Sequence, residues 1–220
     1  MITNKNKITA NNAKTFDNRH NHRMPLKRTS RAVGSRDPLH TGARRSYYPA
    51  SMPTQNTYEE FLKDFRATVL DAATRMRGIP AEQSRAKSSP DNWAAVEILG
   101  HLIDSAANNH QRFVRAQFTD DLVFPGYEQE QWVSSQKYAE ESWTDLIQLW
   151  SSYNLHLHHF ASVIPQTILT KPRATHNLDQ IAFKLLDKSE STTLEYFIRD
   201  YVDHLRHHLD QILTGASQWN

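Results

Sequence analysis

The 220-residue sequence contains no cysteine. That excludes disulfides, a cysteine nucleophile and protein thiolate ligands together, so any metal ion must be held by histidine or carboxylate side chains. No run of about 18 apolar residues occurs, so nothing reads as a membrane span. Nor does an apolar stretch follow the first residues, so no secretory signal is predicted and the expected location is cytoplasmic. Acidic side chains are nearly missing from residues 1–51, where only Asp17 and Asp37 face eleven Lys/Arg, a net +9. The other 169 residues carry fifteen basic and twenty-two acidic side chains, a net −7.

Residues 1–51 also lack any sustained helical or strand period and have few large apolar side chains. Such a segment cannot bury enough surface to offset the entropy of ordering. It reads as a disordered basic tail, or as an extension upstream of a start at Met52. A nucleic-acid arm and an organelle transit peptide are the other readings, and "PLKRTSR" has no stacking aromatic beside it to support the first of these. The expected division is therefore a tail, 1–51, and a domain, 52–220.

From Thr57 onward apolar residues recur at helical spacing. "TYEE" has capping-box spacing before a helix over 57–77 that ends at Gly78 and Pro80. A second helix is predicted over 92–117. A third runs over 142–164 from "SWTD", and is read as burying Leu146, Leu149, Trp150, Tyr153 and Leu157. A fourth, over 192–214, is opened by a capping box at Thr192 and closed near Gly215. Between the second and third lies "DDLVFPGYEQEQW", without period and with Pro125 and Gly126, a long connection of the kind that often carries function. Residues 166–190 are expected to be irregular. Four helices of this length make an all-α four-helix bundle, an architecture that builds metal sites from side chains on facing helices.

The fourth helix contains "DYVDHLRHHLDQI". At about 100° per residue, His208 lies about 60° and His204 about 100° from the centre of its apolar stripe, whereas His207 points about 160° away. His204 and His208 are four residues apart, so their rings overlie one face and can converge on one ion. They could equally be half-buried histidines bonded to neighbours. Asp200, one turn earlier, is a candidate to accept the outer ring proton of a metal-bound histidine. On the third helix His158 and His159 point away from the stripe and His156 has no ligand a turn away, so these three read as a solvated face. His101 on the second helix is the candidate third ligand, but it lies about 130° from that helix's apolar face, where an exposed histidine would also sit.

"NWAAVEILGHLIDSAANNHQRF", "YEQEQW" and "TLEYFIRDYVDHLRHHLDQI", in this order and spanning roughly 57–215, resemble the DinB/YfiT-like superfamily of metal-binding four-helix bundles, and most closely its YfiT branch. The resemblance implies metal ligation by His101, His204 and His208, with a divalent ion, zinc first and nickel or iron next. Arg112 matches an Arg-Phe position where a guanidinium could hold a substrate carboxylate or form an interhelical ion pair. Two features depart from the pattern. Ala94 follows Trp93 where a Ser or Thr cap is common, leaving Asn92 or Asp91 to cap, and the basic tail has no counterpart.

Three imidazoles around a dication leave a Lewis acid with an open position, able to activate water or to hold a small thiol as thiolate. The resemblance implies a metal-dependent S-transferase conjugating a low-molecular-weight, bacillithiol-like thiol to small electrophiles. A metal-dependent hydrolase, with Glu128 or Glu130 as base, and a structural or sensing metal bundle, with Asp200 as fourth ligand, are the alternatives. Expected partners are thus a thiol cosubstrate and an electrophile, with neither membrane nor nucleic acid; a homodimer is compatible.

Overall fold

The computed structural model describes residues 57–215. The tail and the domain boundary at Met52 lie outside the described residues. The elements are α1 (Tyr58–Arg77), α2 (Ala81–Ser84), α3 (Ala95–Arg115), α4 (Gln129–Gln136), a 3-10 turn (Tyr138–Glu140), α5 (Trp143–Ser162), α6 (Gln166–Leu169), α7 (Leu178–Ile181) and α8 (Leu194–Gly215). Extended pairing among the described residues is confined to two single bridges, Leu122 with His176 and Arg173 with Thr192.

The four long helices form the bundle. Thr57 caps α1 reciprocally with Glu60, and the Ser142 hydroxyl accepts from the amide of Asp145 to start α5. Two helix starts differ from expectation. Ala94, not Asn92 or Asp91, is the cap residue of α3, and its amide donates to the Glu97 carboxylate at 2.8 Å. An alanine cap offers no acceptor, so Glu97 supplies the bond from inside the helix. In α8 the capping hydroxyl belongs to Thr193, which accepts from the amide of Tyr196; Thr192 is taken up by its bridge to Arg173.

The long helices pack in a square: α1 lies mainly against α5 and α8, and α3 lies against the same two. The consecutive long helices α1 and α3 therefore occupy opposite corners, as do α5 and α8. Each diagonal pair needs a long connection, which accounts for residues 78–94 and 163–193. The core between the four is aromatic and aliphatic, with Phe65, Phe113, Trp150 and Phe197 fully buried. A polar pin crosses it, from the Tyr201 hydroxyl to Asn154 Oδ1 at 2.6 Å. Leu149, expected in this core, is instead half-exposed because α5 turns that edge outward, and Tyr153 is only partly buried.

The segment after α3 is not wholly irregular. It folds into α4 and the 3-10 turn, and both lie on α3. Lys137 ends α4 in the left-handed region at φ 52° and redirects the chain so that Tyr138 lands on α3. Gly100 receives it: a β-carbon at residue 100 would overlap the Tyr138 ring. The absence of a side chain at Gly100 is what permits this close approach.

Candidate metal centre

His101 projects from α3 and His204 and His208 from α8, two helices that are neighbours in the square. The Nε2 atoms of His101 and His204 are 3.2 Å apart. The His208 ring stands 4.9 Å from that of His101 and 4.6 Å from that of His204. One ring nitrogen from each of the three can be chosen so that all lie within 4.8 Å of one another. Two nitrogens each about 2.0–2.1 Å from a tetrahedral ion would be about 3.3 Å apart, so the His101–His204 spacing of 3.2 Å suits a transition-metal dication and His208 lies within reach of the same point.

The outer ring nitrogens support the same orientation. His208 Nδ1 is 2.7 Å from Gln211 Oε1, an acceptor only, a contact that assigns the proton to Nδ1 and leaves Nε2 as the nitrogen free to ligate. His204 Nδ1 lies 3.5 Å from the Ser105 hydroxyl, which Asn109 Nδ2 also approaches at 3.3 Å. His101 Nδ1 is buried and has no partner among the described residues. An orphaned ring nitrogen on an imidazole packed against two further imidazoles fits a ligand better than a satisfied core histidine.

Burial dominates the electrostatics. It lowers the His101 pKa from 6.5 to about 3, with the neighbouring His208 imidazole adding to the effect. It takes His204 to about 2, helped by His208, His101 and His207, and lowers His208 as well. All three are therefore neutral near pH 7, the form that binds a metal. The unfolded chain binds protons at these imidazoles below about 6.5, whereas the folded metal-free chain does not, so stability falls as pH drops from 6.5 toward 3. In chelator, the unfolding free energy from urea titration is expected to be lower at pH 5 than at pH 7, by up to ~1.4 kcal/mol per pH unit for each titrating imidazole.

Two aromatic side chains flank the cluster. The Trp93 ring is 5.3 Å from His101, and the Phe183 ring is 5.5 Å from His204 and 5.3 Å from His207. Phe183 is 41% exposed and stands on a strap preceding α8. Asp200 explains its position, and here the structure departs from the sequence expectation. Among the described residues, no hydrogen bond joins Asp200 to His204. Its two oxygens accept the backbone amides of Phe183 and Lys184 at 2.8 and 2.7 Å, so it fixes the strap instead of a ring proton.

Arg112 also differs from the ion-pair reading. Its guanidinium is buried and donates to the Pro125 carbonyl at 2.8 Å and to Asn109 Oδ1 at 3.3 Å, with the Tyr127 ring 6.0 Å away. Among the described residues no carboxylate pairs with it, and burial lowers its pKa. Along α3, His101, Asp104, Ser105, Asn109 and Arg112 are all buried polar residues on one face. Asp104 Oδ1 accepts from the Tyr138 hydroxyl and from Gln136 Nε2, both at 2.7 Å, whereas Oδ2 is buried without a partner. Burial raises the Asp104 pKa and the two donors oppose it.

The remaining histidines are not part of the three-histidine group, although the His207 ring lies 5.2 Å from that of His208. His207 is exposed and shares Gln211 with His208. His156 and His159 are exposed, but His158 is half-buried with its ring 6.1 Å from Phe65, so the solvated-face reading fails for that one residue. Glu128 and Glu130 are exposed. The sequence reading missed Ser105, Gln211 and Phe183. The first two stand one turn from a ligand candidate, at i+4 from His101 and i+3 from His208, a signal that spacing could have supplied; Phe183 carried none.

The sequence profile of the DinB superfamily matches residues 62–212, nearly the whole of this bundle. The chain belongs to the DinB superfamily. Among solved structures, this DinB-superfamily bundle is similar to YfiT from Bacillus subtilis, described as "a probable metal-dependent hydrolase with an unusual four-helix bundle topology". The two share 14% identity at a TM-score of 0.59, over 77% of this chain and 93% of YfiT. At that identity the likeness establishes the shared fold. No curated protein matches the sequence. Among the described residues, no helix of this DinB-superfamily chain is long and apolar enough to cross a membrane.

Proposed function

We propose that the chain is a metal-dependent S-transferase that joins a low-molecular-weight, bacillithiol-like thiol to small electrophiles in the cytoplasm. The observation that carries this reading is the convergence of three imidazoles, His101, His204 and His208, with no fourth ligand in the group among the described residues. A divalent ion held there, zinc in the first instance and nickel or iron otherwise, would supply Lewis acidity that lowers the pKa of a thiol. With no cysteine in the chain, the sulfur must come from a cosubstrate. The histidines stay neutral and oriented by Gln211 and Ser105, while Trp93 and Phe183 provide apolar flanks where an electrophile can sit out of water. Arg112 lies eleven residues beyond His101 on the same face of α3, ~16 Å along the axis. Its charge without a carboxylate partner is suited to hold a carboxylate of the cosubstrate.

A hydrolase is the second reading, favoured by the description of YfiT. It requires a general base, and the linker acids Glu128 and Glu130 are exposed, while Asp200 is engaged by the strap. A structural metal would require a fourth ligand, and Asp200 does not serve as one in this arrangement.

The test is thioether formation from bacillithiol, other small thiols and a halogenated aromatic. The expected rate saturates with thiol, disappears on chelation, returns with added metal, and is lost in His208→Ala. Arg112→Ala is expected to raise KM for carboxylate-bearing thiols while leaving that for neutral thiols unchanged. Turnover that needs metal, ignores thiol and incorporates labelled oxygen from water would establish the hydrolase instead.

A further inference from the structure

We propose that Asp104 is the outer partner of His101: its Oδ2 accepts the Nδ1–H of that imidazole when a divalent ion is held at Nε2. The inference rests on the metal-binding reading of the three histidines and adds to it a residue that completes the site. Two of the three ring systems already have an outer partner, Gln211 for His208 and Ser105 for His204. His101 has none, although it is the most deeply buried of the three, at 0% exposed. A neutral imidazole bound through Nε2 must carry its proton on Nδ1, and metal-bound histidines nearly always donate that proton to a carboxylate, carbonyl or water.

Asp104 is placed to accept it. It follows His101 by three residues in α3, which brings the β-carbons to about 5–6 Å on adjoining faces. Its carboxylate is only half used. Tyr138 and Gln136 both approach Oδ1, from the side of α4 and the 3-10 turn, and Oδ2 has no partner despite burial. A buried donor and a buried acceptor, each unsatisfied and one helical turn apart, satisfy one another by a small rotation of either side chain or through one trapped water. The other nearby carboxylate, Asp200, is excluded by its two backbone bonds. The result is that His101 would gain a charged outer partner where His204 and His208 have neutral ones. A carboxylate at that position raises the basicity of the imidazole it faces. Asp104 thus acts as a positioning residue, and Tyr138 and Gln136 hold it in place.

Zinc affinity of the full chain, measured by competition with a chromophoric chelator, tests this directly. Asp104→Asn should bind zinc on the order of 10–100-fold more weakly, because its carboxamide, held through oxygen by Tyr138 and Gln136, presents an N–H to the His101 donor. Tyr138→Phe removes a bond to Oδ1 only, and should stay within about threefold of the parent if positioning of the imidazole, not general packing, sets the affinity. Nitrogen-15 spectra of the zinc-loaded parent provide a readout independent of any variant's folding: the Nδ1 proton of His101 is expected downfield and slow to exchange. The proposal is overturned if that proton exchanges like one on a free imidazole, if Asp104→Asn keeps the parental affinity, or if Tyr138→Phe loses as much as Asp104→Asn. A parent chain that binds no zinc, nickel or iron overturns the metal reading itself, and this inference with it.

Discussion

His101→Ala is expected to remain folded and to hold no divalent ion at neutral pH. The remaining pair, His204 and His208, lies on one helix and can offer only two nitrogens from one side. Loss of an outer hydrogen bond typically costs 10–100-fold in metal affinity, so loss of a ligand that closes the site from the neighbouring helix should cost more than roughly 100-fold. The metal-free stability should change far less. His101 contributes a buried Nδ1 with no partner, so its removal relieves one unsatisfied group while leaving a cavity, two effects of opposite sign. Metal analysis of purified protein and urea titration in chelator separate the two quantities. His207→Ala, His158→Ala and His159→Ala should retain the parental stoichiometry. Retention of metal by His101→Ala at parental affinity would remove the two-helix site altogether.

Gly100→Ala should destabilise the bundle by about 2 kcal/mol or more, with two terms deciding the sign. Replacing glycine by alanine inside a helix is worth about 1 kcal/mol in favour of the variant. Against this, the new methyl overlaps the Tyr138 ring, and overpacking of a closed interior costs typically 1–3 kcal/mol and occasionally more. The ring cannot yield easily. Tyr138 is buried, its hydroxyl is bonded to Asp104, and the left-handed Lys137 fixes the backbone on its approach. The collision therefore falls in the upper part of the overpacking range and exceeds the propensity gain. Urea unfolding should show it, and the double variant Gly100→Ala/Tyr138→Ala should lose less than the sum of the single losses, since the collision is shared.

The legible parts of this fold were those governed by one buried face. α1, α5 and α8 each turn one stripe to the bundle, and their extents followed from apolar spacing and caps. His204 and His208 were legible for the same reason, as their separation fixes a common side of α8. α3 is different. α5 and α8 cover one side of it and α4 with the 3-10 turn cover another, so its buried surface is too wide for a single-stripe reading and His101 seemed to point to solvent. The resemblance, not the period, singled out His101. Asp200 was expected to accept a histidine's outer ring proton, but its partners come from residues 183–184, a strap without period whose course no helical pattern encodes. Ala94 shows the same limit at a smaller scale: the cap was sought in a side chain before the helix, whereas the bond comes from Glu97 within it.

The square arrangement has a further consequence for chain topology. His101 and His204 are 103 positions apart in sequence, yet their Nε2 atoms lie 3.2 Å from one another. Bringing such distant points together costs configurational entropy that grows only with the logarithm of the intervening length. An ion joining them is a reversible cross-link, equivalent in polymer terms to a ring closure spanning most of the domain. Its span encloses α4, α5, α6 and α7 entirely, so one coordination event ties every intervening element into a single loop. Such a closure can be made or released without breaking a covalent bond, giving a cysteine-free chain a constraint that other proteins obtain by oxidation.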